Sequence, residues 1–134
     1  MIKTILRAAS LTCGFILLGL GGAQAQQFPP ALQGEWLAQS PEEERSCKRG
    51  DFDKMESDAL MKVTARATAH YESGCRLQGL KETGNTWQVR LVCEGEGMRW
   101  QDQQIWSLQK ISNRNLLIMV TPKSGFMHVM QKCD

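Results

Sequence analysis

The sequence has few of the residues from which catalytic sites are commonly built. It contains only two histidines, His70 and His128, and no G-x-S-x-G nucleophile motif. Glu94 and Glu96 flank Gly95 and could form a general acid/base pair, but the surrounding glycines indicate a turn with solvated carboxylates. Because no nucleophile is paired with a base, the chain is predicted not to be an enzyme, and no cofactor is expected.

Close-spaced cysteine pairs are also missing. Outside the first 25 residues the cysteines are Cys47, Cys75, Cys93 and Cys133, and the shortest separation between them is 18 residues. A zinc site would need C-x-x-C or a similar spacing, so no metal site is predicted. An even number of cysteines in a small exported chain predicts two disulfides instead.

No apolar run long enough to span a bilayer comfortably is present, and the longest one lies at the N-terminus. Lys3 and Arg7 precede the apolar stretch 11–22, and Ala23 and Ala25 supply small residues at a cleavage position. We expect residues 1–25 to be a cleaved signal peptide, with a membrane anchor as the alternative. A lipoprotein is not indicated, because Cys13 follows Ser-Leu-Thr and comes before most of the apolar run rather than after it. The remaining residues, 26–134, are predicted to form one periplasmic or secreted domain with no membrane span.

The predicted mature chain has no net charge. Residues 26–134 hold 14 basic and 14 acidic residues, so the net charge of +2 belongs to the signal segment. A nucleic-acid-binding domain usually carries a basic excess, so nucleic acid is not an expected partner. The charge is uneven, since residues 26–58 are acidic and the remainder is mildly basic. The polar stretch 41–54 is interpreted as a solvated loop, or alternatively as a docking surface.

A symmetric hairpin is the clearest feature that is present. Cys75 and Cys93 each lie nine residues from Gly84, within a Thr-Gly-Asn loop that suits a tight turn. Two antiparallel strands folded there would place Cys75 opposite Cys93, close enough for a disulfide, which leaves Cys47 to pair with Cys133. A bulge at the loop would shift the register by one residue. The expected opposed pairs are Cys75–Cys93, Leu77–Leu91, Gly79–Val89 and Lys81–Trp87.

The rest of the chain also has mainly the period of two that is typical of strands. Residues 59–72 alternate in this way and predict one long strand or two strands with a bend. Ser40, Pro41 and Glu43 could begin one short helix, although a long excursion would also fit. Further strands are predicted at 33–39, 99–111, 116–121 and 126–133. We therefore expect an all-β fold, a small antiparallel up-and-down barrel of about 7–8 strands.

Gly34, Glu35 and Trp36 form a G-x-W tripeptide on the first strand. In this position the tripeptide resembles the opening of the calycin group, which includes lipocalins, avidins and bacterial metalloprotease inhibitors. The chain is also similar to small exported Gram-negative proteins with a W…C…C…C spacing. The calycin resemblance implies a closed barrel with Trp36 at one end, beneath a basic side chain of the last strand, for which Lys132 is the nearest candidate. An exposed Trp36 would instead be a candidate partner-binding residue, because tryptophan is enriched at interface hot spots.

The stretch 126–133 places His128 and Met130 on one face of a strand. Methionine and histidine together suit Cu(I), but soft ligands normally come in larger sets, and methionine is also a common core filler. The four tryptophans, Trp36, Trp87, Trp100 and Trp106, are interpreted as core residues that leave little room inside a barrel of this size.

Two functions are compatible with these features. The first is an exported, monomeric, non-enzymatic binding module that acts on another protein, as an inhibitor would. The second is a carrier of a small apolar ligand inside the barrel. A cavity above ~300 Å³ lined by the tryptophans would favour the carrier, and a filled interior would favour the surface binder. A structural role in the cell envelope is compatible with the sequence as well.

Overall fold

The computed structural model describes residues 26–134 as a closed barrel of eight antiparallel strands, in which each strand pairs with the next and the last with the first. The expected all-β up-and-down barrel is therefore confirmed, as are both disulfides, Cys75–Cys93 and Cys47–Cys133. The expected signal peptide, residues 1–25, lies outside the described residues.

The strands follow one another in chain order around the barrel. A 3-10 turn, Pro30–Leu32, precedes them, and one short helix, α1 (Asp51–Lys54), interrupts the connection between the first two strands. The strands are β1 (Gly34–Ala38), β2 (Leu60–Val63), β3 (Ala67–Ala69), β4 (Ser73–Thr83), β5 (Thr86–Gly95), β6 (Met98–Ile111), β7 (Arg114–Thr121) and β8 (Phe126–Lys132).

Two-residue turns connect the long central strands. Glu96 and Gly97 have φ of 49° and 74°, and Ser112 and Asn113 have φ of 48° and 64°. Positive φ at both central residues is typical of type I′ turns, whose twist matches that of the flanking strands. Gly84, with φ of 63°, is the first central residue between β4 and β5, where type II′ turns place glycine.

The predicted register of the β4–β5 hairpin is right near the disulfide and wrong near the turn. Cys75 pairs with Cys93 and Leu77 with Leu91, but a bulge between Leu77 and Gly79 shifts every later pair by one. Gly79 therefore faces Arg90 rather than Val89, and Lys81 faces Gln88 rather than Trp87. The extra residue reverses which side chains point inward, so Leu80 packs against the core instead of facing solvent.

The helix lies further along the chain than Ser40. Residues 40–43 form a turn closed by a bridge between Ser40 and Glu43, and the amide of Glu42 donates to the Ser40 hydroxyl. Gly50, in the left-handed region at φ 95°, precedes α1 instead. Of the two alternatives for residues 59–72, the structure has two short strands, β2 and β3, that pair with each other.

One half of the barrel interior is filled. Trp36, Trp87 and Trp106 are buried there, and Phe28 stacks on Trp106 with ring centroids 5.0 Å apart. The N-terminal segment that carries Phe28 and Leu32 closes this end of the barrel, and both side chains are fully buried. The expected tryptophan core thus exists, but three of the four tryptophans form it.

A second, smaller apolar cluster covers the outside of β1 and β2. Leu37, Leu60 and Cys133 are buried in it, with Phe52 packed against them from α1. The carboxylate of Glu35, itself buried, accepts hydrogen bonds from the backbone N–H groups of Gly50 and Phe52, the latter at 2.8 Å. This cluster, Glu35 and the Cys47–Cys133 disulfide hold the long connection 39–59 against the barrel wall.

Candidate functional site

The two ends of the barrel differ. The end that we call the plugged end carries the N-terminal segment 26–33 and the turns at residues 64–66, 84–85 and 112–113. The opposite end, called the open end below, carries the connection 39–59 and the turns at residues 70–72, 96–97 and 122–125. This division follows from the antiparallel strand order, because successive turns alternate between the two ends.

A cavity of about 360 Å³ opens at the open end. Its wall combines apolar side chains, the Cys75–Cys93 disulfide and several polar groups. The expectation that the tryptophans leave little interior room is therefore wrong for this half of the barrel. The lining residues are Ala38, Asp58, Met61, His70, Ser73, Cys75, Cys93, Trp100, Asp102, Gln104, Met119, His128 and Met130.

Trp100 is the tryptophan that belongs to the cavity rather than to the core. It is 40% exposed, although it faces inward like Trp106 on the same strand. The difference follows from position: Trp106 lies among the filled layers, whereas Trp100 lies at the mouth, close to the turn at residues 96–97. Its ring therefore presents a flat apolar surface to the entrance.

A chain of hydrogen bonds fixes one carboxylate in the cavity wall. The buried indole N–H of Trp106 donates to Gln104 Oε1 at 2.7 Å, and Gln104 Nε2 donates to Asp102 Oδ2 at 2.8 Å. The alternation of β6 places all three side chains on its inner face. Because Gln104 is held at both ends, the Asp102 carboxylate is oriented before any ligand arrives.

Both histidines of the sequence reach this cavity, although they lie far apart in the chain. Burial lowers the pKa of His70 from its ordinary value of 6.5, the neighbouring His128 lowers it further, and Asp58 partly opposes the change. Phe126 stacks nearly parallel to His128, with an interplanar angle of 14° and ring centroids 6.4 Å apart. The stacking restricts the orientation of the His128 ring at the cavity wall.

Three methionines also line the cavity. Met61, Met119 and Met130 are buried in the wall, whereas Met55, Met98 and Met127 are exposed outside the cavity. Among residues 26–134, no three side chains of the His, Cys, Asp and Glu types lie close enough together to hold a metal ion. The cavity wall therefore offers thioether and imidazole donors in addition to the carboxylates of Asp58 and Asp102.

Large apolar side chains surround the mouth. Five of them, between 40% and 67% exposed, come from the three turns at the open end and the strand ends beside them. Single exposed apolar residues are ordinary on protein surfaces, but several of them clustered at one end of a barrel, beside the mouth of a cavity, are characteristic of a binding site. We call this group the apolar rim; it consists of Tyr71, Met98, Trp100, Phe126 and Met127.

An acidic depression adjoins the apolar rim. Its volume is about 280 Å³, and its lining includes Asp58, Glu72 and Glu96. Three salt bridges occur within residues 26–134, and none involves these carboxylates or Asp102. The open end therefore presents negative charge that is not neutralised by a neighbouring cation of the described chain.

Trp36 and Lys132, singled out by the sequence, lie at the plugged end. Trp36 is fully buried and its indole N–H donates to the carbonyl of Leu32 at 3.0 Å. Lys132 Nζ lies 5.4 Å from the Trp36 ring centroid, and burial, with a smaller contribution from Arg49, lowers its pKa. Glycine suits position 34, because its φ of 124° is one that other residues rarely adopt and a Cβ there would lie 3.1 Å from Lys132 Cε.

The Glu94–Gly95–Glu96 sequence forms no acid/base pair directed at a substrate. Glu94 lies 3.9 Å from Arg99 as an exposed ion pair, and Glu96 occupies the turn between β5 and β6. Within residues 26–134, no helix is long and apolar enough to cross a membrane.

The sequence matches no protein-family model, and comparisons with curated proteins and with solved structures give no significant match either. The candidate site is thus defined by its geometry. Sequence reasoning considered His128 and Met130 but did not anticipate Asp58, Asp102 or Gln104. The sequence did indicate the direction of Asp102 and Gln104. They lie between Trp100 and Trp106 at intervals of two residues, so all four side chains share one face of β6.

Proposed function

We propose that this protein is an exported, non-enzymatic binding module that contacts another protein through the open end of its barrel. The observation that carries the proposal is the apolar rim surrounding a mouth that the fold leaves open, while the N-terminal segment closes the other end. Exposed aromatic and methionine side chains are enriched at protein interfaces, where they become buried on binding.

The partner that fits this end has a protruding segment with apolar side chains and a positive charge. The apolar side chains would cover the rim, and a basic side chain would approach Asp58, Glu72 and Asp102, which have no cationic partner in the described chain. Complementary charge accelerates association and disfavours partners of the wrong sign. A flat partner surface would leave the cavity empty, and an acidic one would leave these carboxylates without an opposite charge.

Photo-crosslinking in the native host tests the proposal with a control from the same chain. A photoreactive benzoylphenylalanine at Met127 samples the open end, and the same residue at Ile111 samples the plugged end. Both positions are exposed, so both probes reach solvent equally well. The proposal predicts a discrete adduct from position 127 that is absent from position 111, and that forms again with the purified partner.

Other outcomes of the crosslinking would contradict the proposal. Adducts from position 111 alone, or the same adducts from both positions, would place the interaction away from the apolar rim. No adduct from either position during growth in the native host would argue against a protein partner altogether.

The calycin resemblance supports an inhibitor as one form of this function. The burial of Trp36 under Lys132, with Gly34 leaving room beside it, is the arrangement that the resemblance implies. On this view the closed end is structural and the open end meets the target. If the partner identified by crosslinking is an enzyme, its activity should fall when the purified protein is added.

A carrier of a small apolar ligand is the second candidate, and the cavity of about 360 Å³ favours it. Of the four tryptophans, however, only Trp100 lines that cavity, and the wall includes carboxylates. An apolar dye such as N-phenylnaphthylamine distinguishes the two functions. A carrier should enhance its fluorescence, and Ala38→Leu, which narrows the cavity, should reduce the enhancement while crosslinking at Met127 persists.

A further inference from the structure

We propose that Met119, His128 and Met130 form a binding site for Cu(I) in the wall of the barrel cavity. Two thioether sulfurs and one imidazole nitrogen would supply the ligands. The inference goes beyond the protein partner proposed above, because the three ligands lie in the cavity wall and copper binding can be measured on the protein alone.

Sheet register brings the three side chains together. Met119 on β7 pairs directly with His128 on β8, and Met130 follows His128 by two residues on the same face. Side chains that face each other across antiparallel strands have Cβ atoms about 5 Å apart, and diagonal neighbours lie within the reach of long side chains. All three residues line the same cavity.

The surroundings suit an ion that enters from the mouth. His128 is exposed, whereas Met119, directly opposite it, and Met130, two residues further from the mouth, are buried. The stacked ring of Phe126 orients the imidazole. Ala38, which pairs with Met130 from β1, adds little bulk beside the two thioethers. The flexible methionine side chains can therefore turn their sulfurs towards a common point without moving the strands.

The donor set selects the kind of metal. Thioether and imidazole ligands favour soft Cu(I), whereas Mg²⁺, Ca²⁺ and Mn²⁺ prefer oxygen ligands. The described residues contain no group of three His, Cys, Asp or Glu side chains placed for a zinc-type site. The proposal concerns binding alone and involves no electron transfer.

Methyl NMR with Ag(I), a diamagnetic substitute for Cu(I), tests the site directly. Residues 26–134 contain six methionines, and labelling their ε-methyl groups with carbon-13 gives one signal each. One equivalent of Ag(I) should shift the signals of Met119 and Met130. The signals of Met55, Met98 and Met127 should stay in place, because these side chains are exposed outside the cavity. Equal shifts of the exposed methionines, or no shifts at all, would overturn the proposal.

Competition with a chromophoric Cu(I) chelator then measures affinity in the disulfide-bonded protein. Met119→Leu and Met130→Leu keep the volume of the side chain but remove its sulfur, and His128→Gln removes the imidazole. Each should weaken Cu(I) binding about tenfold or more. Met127→Leu, the matched control on β8, should leave binding unchanged. Unchanged affinity in all three cavity variants, each with a wild-type circular dichroism spectrum, would also refute the site.

Discussion

Trp36 shows at the scale of one residue how the plugged end is stabilised. Its ring is fully buried, its N–H is satisfied by Leu32, and the stem and ammonium of Lys132 cover it. A buried indole contributes a large apolar area, and its N–H costs free energy unless it finds an acceptor. The 3-10 turn at Pro30–Leu32 supplies that acceptor, so the N-terminal segment and the barrel stabilise each other.

Replacing Trp36 by alanine should therefore destabilise the protein strongly. Removal of a fully buried aromatic ring typically costs about 3–5 kcal/mol, a large part of the stability of a domain of this size. Urea unfolding of the disulfide-bonded variant measures the loss. Trp100→Ala serves as the control and should cost much less, because Trp100 is 40% exposed. A loss below about 1 kcal/mol for Trp36→Ala would show that the ring does not close the barrel.

His70 is a residue whose ionisation should make stability depend on pH. Its pKa in the folded protein lies below 6.5, mainly because of burial, then because of His128, with Asp58 opposing. As the pH falls through 6.5, the unfolded chain takes up a proton before the folded chain does, so folding stability declines. Between about pH 7.5 and pH 5, the wild type should lose more unfolding free energy than His70→Gln. Equal losses would show that His70 titrates alike in both states.

At the scale of elements, the β4–β5 hairpin combines a predictable part and an unpredictable part. The symmetric cysteines predicted the pairing near the disulfide, because a disulfide between directly opposed strands fixes one register. The bulge beyond Leu77 could not be inferred, since no residue there requires it locally. It is stabilised by tertiary packing: it turns Leu80 towards the core and places Gly79 beneath the guanidinium of Arg90.

Two glycines in this hairpin should respond differently to alanine. A Cβ at Gly95 would lie 2.7 Å from Ser73 Cβ and 3.1 Å from the carbonyl oxygen of Glu72, so the backbone beside the mouth would have to move. The three atoms nearest to a Cβ at Gly79 all belong to the end of the Arg90 side chain, which can swing away. Gly95→Ala should therefore destabilise by about 1–3 kcal/mol and Gly79→Ala by less. Thermal or urea unfolding that reverses this order would contradict the packing described here.

At the scale of the whole molecule, the sequence indicated the barrel but not the difference between its ends. Alternating strands, short turns and the return of Cys133 to the first third of the chain all indicate a closed meander. Whether the interior is filled depends on how the inward-facing side chains of all eight strands pack against one another. Trp106 and Trp100 lie on the same strand face, yet one is in the core and the other is at the mouth. The alternation of residues along a single strand does not show which of its inward-facing side chains lie in the core and which lie at the mouth.

The two disulfides should contribute unequally to the stability of the whole chain. Cys47–Cys133 joins residues 86 apart and Cys75–Cys93 joins residues 18 apart. Chain entropy predicts stabilisation of about 4.5 and about 3 kcal/mol respectively, because the longer loop is more restricted in the unfolded state. Replacing Cys47 and Cys133 together by serine should therefore lower the unfolding free energy more than replacing Cys75 and Cys93. A larger loss from the short loop would show that local packing outweighs chain entropy.

The proposed function depends above all on contact between the open end and the partner. Hydrogen exchange, followed by mass spectrometry on the purified protein with and without the partner found by crosslinking, tests it most directly. We predict slower exchange on binding at residues 70–72, 96–97 and 122–125, with no change at residues 64–66, 84–85 and 112–113. Protection confined to the second set would contradict the claim and move the binding site to the plugged end.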